Sequence, residues 1–352
     1  MTRRGLCAWV GILVTAGCVG EAAPPGADDL GVSDEALGAA APALPPHVAD
    51  AIRRRVHGRV FAIDHYVPVG PGRRVHVREH FTLRSWLAHP RRAALLLPGT
   101  VVTGSFYDLD VDGYRFAEDL AREGFFVFSV DYEGSGESTY PADGFTVTHD
   151  YLVDAMRTVV RYVRLARLVS AVDAIGESNG GAIAAELCAD AARVRSCVLS
   201  SMLYRQGTPF FEAVFLDPGF LWFLMSQPDG YLDVTPELYF NILARASPEV
   251  AAAVLATQPG LYAVPPLYAP VTLPWFDPTR ARVPALVIQG TEDNIATQAD
   301  ADVLAAEYGS APGAGGTATV LRIEGAGHLP RIEPGANAIW NAAVIDFLTA
   351  TE

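Results

Sequence analysis

The chain has 352 residues, half of them hydrophobic, which suffices for a substantial core and excludes a chain disordered throughout. Its formal charge is −14, and all 26 basic residues are Arg. A balance this acidic lacks the basic stripe that nucleic acid binding requires, so nucleic acid is not expected as a partner.

The amino terminus reads as an export signal. Arg3 and Arg4 precede an apolar run from Leu6 to Ala16, too short to span a bilayer. Small residues then lead to a cysteine, and Thr15-Ala16-Gly17-Cys18 resembles the bacterial lipoprotein cleavage box. That resemblance implies a signal peptide over 1–17 and lipidation of Cys18; an ordinary secretory signal is the alternative. Either way the mature protein is expected outside the cytoplasm. It would be lipid-anchored on the periplasmic or outer side of a bacterial membrane, or secreted in soluble form. Cleavage before Cys18 removes two Arg and no acid, which takes the charge from −14 to −16. Residues 18–50, rich in Ala, Pro, Gly and Asp without sustained periodicity, read as a flexible tether.

Beyond the tether, Arg59–Val69 and Arg74–Trp86 are predicted strands, joined by the turn signal Gly70-Pro71-Gly72. Ala93–Leu97 is a buried-strand pattern running into Pro98-Gly99-Thr100. A helix is expected over Gly113–Arg122, and Phe125–Asp131 is a second apolar strand. Leu152, Ala155, Met156, Val159, Val160 and Val163 mark a helix over Tyr151–Leu168. A short apolar run from Ala171 ends in Gly176-Glu-Ser178-Asn-Gly180 and passes at once into an Ala-rich helical stretch. Ser196–Met202 is the next strand.

The alternation then stops. Leu203–Arg282 holds fourteen of the 34 aromatic residues in under a quarter of the length, punctuated by Pro and Gly, with helical stretches in Thr235–Leu255. Those aromatics either line a wide apolar pocket or form the insertion's own core. Regular order resumes with a strand at Pro284–Gly290, a helix at Ala299–Tyr308, a strand at Ala318–Ile323 and an amphipathic helix at Ala336–Leu348. Strands alternating with helices imply an α/β fold. We expect a mostly parallel sheet of about eight strands with helices on both faces, and a helical cap inserted between strands six and seven. The core would comprise 51–202 and 283–352, and the cap or lid 203–282. Cys188 and Cys197 are the cysteines of the folded part, either a disulfide or two buried thiols.

Gly-x-Ser-x-Gly arises by chance often enough that its context must carry it. Here a strand precedes and a helix follows, the setting in which Ser178 is presented on a sharp turn. A neutral serine needs a base. His328 is the only histidine after Ser178, the other seven lying at or before position 149, and it sits in a Gly-flanked loop.

With these residues in place, the chain from about residue 60 to the carboxyl terminus resembles the α/β-hydrolases. In that family the triad runs in the order Ser, acid, His. Gln289-Gly-Thr-Glu-Asp293 matches the family's Gly-x-x-Asp turn, and Ile323-Glu-Gly-Ala-Gly-His328 matches its histidine loop. Asp131-x-x-Gly134-x-Gly136-x-Ser138 resembles a family turn whose role is structural. The resemblance implies a triad of Ser178, Asp293 and His328, with Glu292 competing for the acid position and spacing favouring Asp293. It also implies an oxyanion hole from the backbone N–H groups of Asn179 and Thr100, the latter where the family usually has His-Gly-x.

The implied chemistry is acyl transfer to Ser178 and hydrolysis of the acyl-enzyme, with neither metal nor cofactor. A serine rather than an aspartate nucleophile argues against dehalogenase and epoxide-hydrolase chemistry, and no His-Gly-Gly-Gly loop is present. The aromatic-rich insertion and the export address favour a small-molecule ester with an apolar acyl group, as for a carboxylesterase or lipase. The membrane would be met only through the lipid anchor. The runner-up is an aminopeptidase-type serine peptidase, which would anchor the substrate amine on an acid such as Glu212, Asp217, Asp229, Asp233 or Glu237. A third reading is a non-catalytic binding lipoprotein on the same scaffold.

Overall fold

The computed structural model of the protein describes residues 59–239 and 243–351. The expected signal peptide, Cys18 and the tether lie outside the described residues. Strands β1 (Phe61–Gly70) and β2 (Arg73–Phe81) form the predicted antiparallel hairpin. The second strand is shorter than the expected Arg74–Trp86. At Thr82 the chain enters a helix, α1 (Leu83–Leu87), because the Thr82 side chain accepts from Ser85 N while Thr82 N donates to Ser85 Oγ, a reciprocal cap.

Next come β3 (Arg92–Leu97), α2 (Phe116–Arg122), β4 (Phe125–Val130), α3 (His149–Arg167), β5 (Val172–Glu177), α4 (Asn179–Leu187) and β6 (Val194–Ser200). An insertion follows, with α5 (Pro209–Phe215), α6 (Pro218–Met225), a two-stranded ribbon of β7 (Tyr231–Asp233) and β8 (Leu261–Ala263), and between those strands α7 (Pro248–Ala256); α8 (Pro265–Tyr268) comes after β8. The core resumes with β9 (Ala285–Gly290), α9 (Gln298–Glu307), β10 (Ala318–Ile323) and α10 (Ala336–Ala350).

The main sheet has eight strands in the order β1-β2-β4-β3-β5-β6-β9-β10, and β2 alone runs against the rest. Every residue of β3, β4, β5 and β9 is buried, as expected of parallel strands covered on both faces. Apolar residues of α3, α4 and α9 pack on one face with Leu95, Leu97 and Phe128. Those of α2 and α10 pack on the other with Leu96, Val127 and Ile175.

The insertion packs partly on itself, where Leu224, Leu232 and Val264 form a small buried cluster, and partly on the core. Its Tyr239, Val250, Val254 and Tyr262 cluster with Val101, Phe106 and Leu109 from the segment after β3, and with Leu329 and Ile332 after β10. Isolated β-bridges, Ser135 with Tyr262 and Gly207 with Ala296, add backbone ties to the core. Cys188 and Cys197 are joined as a disulfide that pins the end of α4 to β6.

Candidate active site

The site begins at a crossing in the sheet. From β3 the chain steps outward to β4, then returns across β3 to β5, so the ends of β3 and β5 open a crevice where the order reverses. Those strands pair in parallel with Leu97 opposite Gly176, which brings the loop after β3 beside the turn after β5. Ser178 occupies that turn at φ +52°, ψ −121°, immediately before α4. A residue with a side chain held there is strained by about 1–3 kcal/mol, and the surrounding packing must hold it. The flanking glycines show how closely it does so. A Cβ on Gly180 would stand 2.0 Å from Leu97 O, and one on Gly176 would stand 2.1 Å from Gly180 O.

His328 and Asp293 arrive from the other side of the sheet, on loops after β10 and β9. His328 Nε2 lies 3.2 Å from Ser178 Oγ, and His328 Nδ1 lies 3.0 Å and 3.1 Å from the two Asp293 oxygens. A carboxylate only accepts, so Nδ1 carries the ring proton and Nε2 of the neutral ring is left to accept from the serine hydroxyl. Asp293 is fixed in turn by Ile295 N at 2.7 Å, Ala296 N at 3.2 Å and the Gln289 amide at 2.5 Å. Its rival Glu292 points elsewhere, its carboxylate being 58 % exposed and paired with Arg245 at 2.6 Å. Burial pushes the His328 imidazole down, but the Asp293 carboxylate, with Glu177 and Glu333 behind it, outweighs burial and raises it above the ordinary histidine value.

Thr100 and Asn179 border the same cavity as Ser178 and His328. Asn179 is the first residue of α4, so its N–H is one of the donors that a helix start leaves without an intrahelical partner. Beside Thr100, Val101 is held at φ +57°, and the Tyr239 hydroxyl of the insertion donates to its carbonyl at 2.5 Å. The Asp131 turn anchors the same loop from below. Asp131 accepts from Gly104 N at 2.9 Å and Glu137 N at 3.0 Å, and its Oδ2 lies 2.9 Å from His76 Nδ1.

The cavity measures about 150 Å³, and the insertion supplies much of its wall through Phe211, Val214, Phe215, Phe220 and Trp275. The aromatics of the insertion thus divide. Some line this cavity, Tyr239 and Tyr262 join the shared core, and Trp222 and Phe223 stay exposed. Apart from Thr100, Ser178, Asn179 and His328, the lining among the described residues is apolar, without a carboxylate or guanidinium. Glu212, Asp217, Asp229, Asp233 and Glu237 are all exposed and none borders the cavity. An open cleft of about 300 Å³ elsewhere is lined by Arg73, Arg157, Arg161 and Arg193, with Asp154 and Thr158 beside them. One feature of the site escapes sequence reasoning. Glu177, directly before Ser178, is ion-paired in the interior with Arg331, 154 residues away, and no local spacing signals such a pair.

Residues 94–338 match the family described as alpha/beta hydrolase. Against curated protein sequences the chain finds no match. Among solved structures, it is similar to a putative aryl esterase from Burkholderia cenocepacia, with 15 % identity, a TM-score of 0.59, and 82 % of this chain and 99 % of the other covered. A thermophilic esterase from Thermogutta terrifontis aligns at 19 % identity and TM-score 0.53, over 83 % of this chain and 99 % of that one. The enol-lactonase of Burkholderia xenovorans LB400 aligns at 20 % identity and TM-score 0.52, over 80 % and 99 %. With the family match spanning most of the described core, and the sheet order and serine turn as found, the chain belongs to the alpha/beta hydrolase family.

Proposed function

We propose that the protein is a serine hydrolase that cleaves carboxylic esters with apolar acyl groups. The observation that carries this reading is the hydrogen-bonded series Ser178–His328–Asp293 opening into a cavity whose described lining holds no carboxylate or guanidinium. In the first step Ser178 Oγ attacks the ester carbonyl while His328 Nε2 takes its proton. Asp293 holds the tautomer and stabilises the imidazolium. The tetrahedral oxyanion is received by Asn179 N–H and Thr100 N–H, each such donor being worth about 3 kcal/mol of barrier. As the carbonyl re-forms, the alcohol leaves with the proton from His328. Water, deprotonated by the same imidazole, then attacks the acyl-enzyme and releases the acid and Ser178. The insertion acts as a cap whose aromatic wall receives the acyl chain, and apolar burial of about 0.8 kcal/mol per methylene favours longer chains until the cavity is full.

An esterase activity agrees with the esterases and the lactonase among its structural neighbours. The aminopeptidase reading loses its support, because an amine-binding acid must face the substrate and the five candidates face solvent. The test is a p-nitrophenyl ester series of rising chain length beside aminoacyl anilides, with Ser178→Ala as control. Ester turnover and covalent fluorophosphonate labelling are expected in the parent and absent in Ser178→Ala. Turnover that survives the substitution removes Ser178 from the mechanism, preference for anilides moves the function to peptidase, and no labelling of the folded parent leaves only a binding protein.

A further inference from the structure

The Glu177–Arg331 pair sits where the three loops of the site meet. Glu177 ends β5 and precedes Ser178, and Arg331 stands three residues after His328 in the 3₁₀ turn Pro330–Ile332. Both side chains are 1 % exposed, and Arg331 Nε donates to Glu177 Oε1 at 2.7 Å. The guanidinium carbon lies 4.1 Å from the centre of the Phe106 ring and 4.7 Å from that of Tyr107. Those rings belong to the turn Gly104–Tyr107, which continues the loop carrying Thr100. Tyr107 donates its hydroxyl to Leu97 O at 2.9 Å, at the end of β3. A single guanidinium therefore touches the segment bearing the serine, the segment bearing the histidine and the segment that follows Thr100.

Stability alone is a poor reason for such a pair. Desolvating two charges commonly costs more than their attraction returns, and apolar replacements are often more stable. Nor is this pair a fully bonded network. Glu177 Oε2 and both Arg331 Nη atoms are buried without a hydrogen-bond partner among the described residues. What a directional, stacked ion pair supplies that apolar packing does not is a fixed register between the segments it joins.

We propose that the Glu177–Arg331 pair is the positioning element that holds His328 Nε2 against Ser178 Oγ, a role that rests on the reading of Ser178 as nucleophile. Neither residue reaches the cavity, so both act through the loops they join and not on the substrate. The test uses the full chain with Glu177→Gln and Arg331→Lys. The first keeps the shape and an acceptor for Nε but removes the charge. The second keeps the charge but loses the planar stack and the Nε donor.

For each variant, kcat on a p-nitrophenyl ester and the rate of fluorophosphonate labelling are expected to fall on the order of 10- to 100-fold, with KM within about twofold of the parent. A cooperative thermal melt separates misplacement from unfolding, and where Arg331→Lys does not fold, Glu177→Gln decides alone. Folded Glu177→Gln with unchanged kcat and labelling overturns the proposal while leaving the nucleophile reading intact. A loss confined to KM overturns it as well. A parent that is never labelled sinks the nucleophile reading, and the positioning role with it.

Discussion

The carboxylates around His328 set how tightly its imidazole holds a proton. Burial opposes the charged imidazole, yet Asp293 contacts it directly, and Glu177 and Glu333 add negative charge, Glu177 being paired with Arg331 and Glu333 sharing Arg245 with Glu292. The balance raises the imidazole above its ordinary value, so the protonated form persists to higher pH. In the proposed mechanism the base must be neutral to accept from Ser178, so activity is expected to be lost as pH falls through that raised value. We expect the acid limb of kcat/KM to have its midpoint above about 6.5. A pH–rate profile with its limb at or below that value contradicts the electrostatics described. The three side chains of this series were legible individually, since a Gly-flanked serine, a lone late histidine and a Gly-x-x-Asp turn each have a local signature. Spacing favoured Asp293 over Glu292, and the loop's conformation adds the physical reason, since Ile295 N and Ala296 N cap the Asp293 carboxylate while that of Glu292 reaches solvent.

Among elements, the short helix α4 has most to hold in place. Its first residue carries one expected oxyanion donor, and its last turn runs into Cys188, bonded to Cys197 on β6. The two cysteines are nine residues apart, and closing a loop of that order stabilises a fold by about 2 to 3 kcal/mol, chiefly by restricting the unfolded chain. The double substitution Cys188→Ala/Cys197→Ala is therefore expected to lower unfolding free energy by that amount in denaturant titration. An unchanged midpoint would show that the bond contributes nothing. The sequence left both pairing and free thiols open, because nine residues of separation do not say whether a helix end and a strand face one another. Likewise, the run Arg74–Trp86 looks strand-like throughout, and only the reciprocal Thr82–Ser85 bonds explain why it turns helical after Phe81.

At the scale of the whole molecule, the core and the insertion are one packed body, and the insertion reaches the site both as a wall and through Tyr239 on the Val101 carbonyl. Among the described residues, no helix is long and apolar enough to cross a membrane. We propose that the membrane is met through a lipid on Cys18, a location with which the disulfide is consistent, since such bonds persist in oxidising compartments. Mass spectrometry of the mature protein is expected to find a diacylated cysteine at position 18 as its first residue. An unmodified terminus at another residue contradicts the anchor.

Periodicity and turn chemistry are local properties, so the sequence by itself determined the alternation of strands and helices, the serine turn and the family. The tertiary structure decided what depends on contacts between distant segments. Pairing β3 with β5 set the Thr100 loop beside Ser178. Folding the insertion back over the crevice put Phe211, Phe215 and Trp275 on the cavity wall and left Trp222 in solvent. Burial of Glu177 with Arg331 joined residues 154 apart. An aromatic residue or an ion carries no mark in the chain of which partner will bury it, because that choice is made by the packing of the whole.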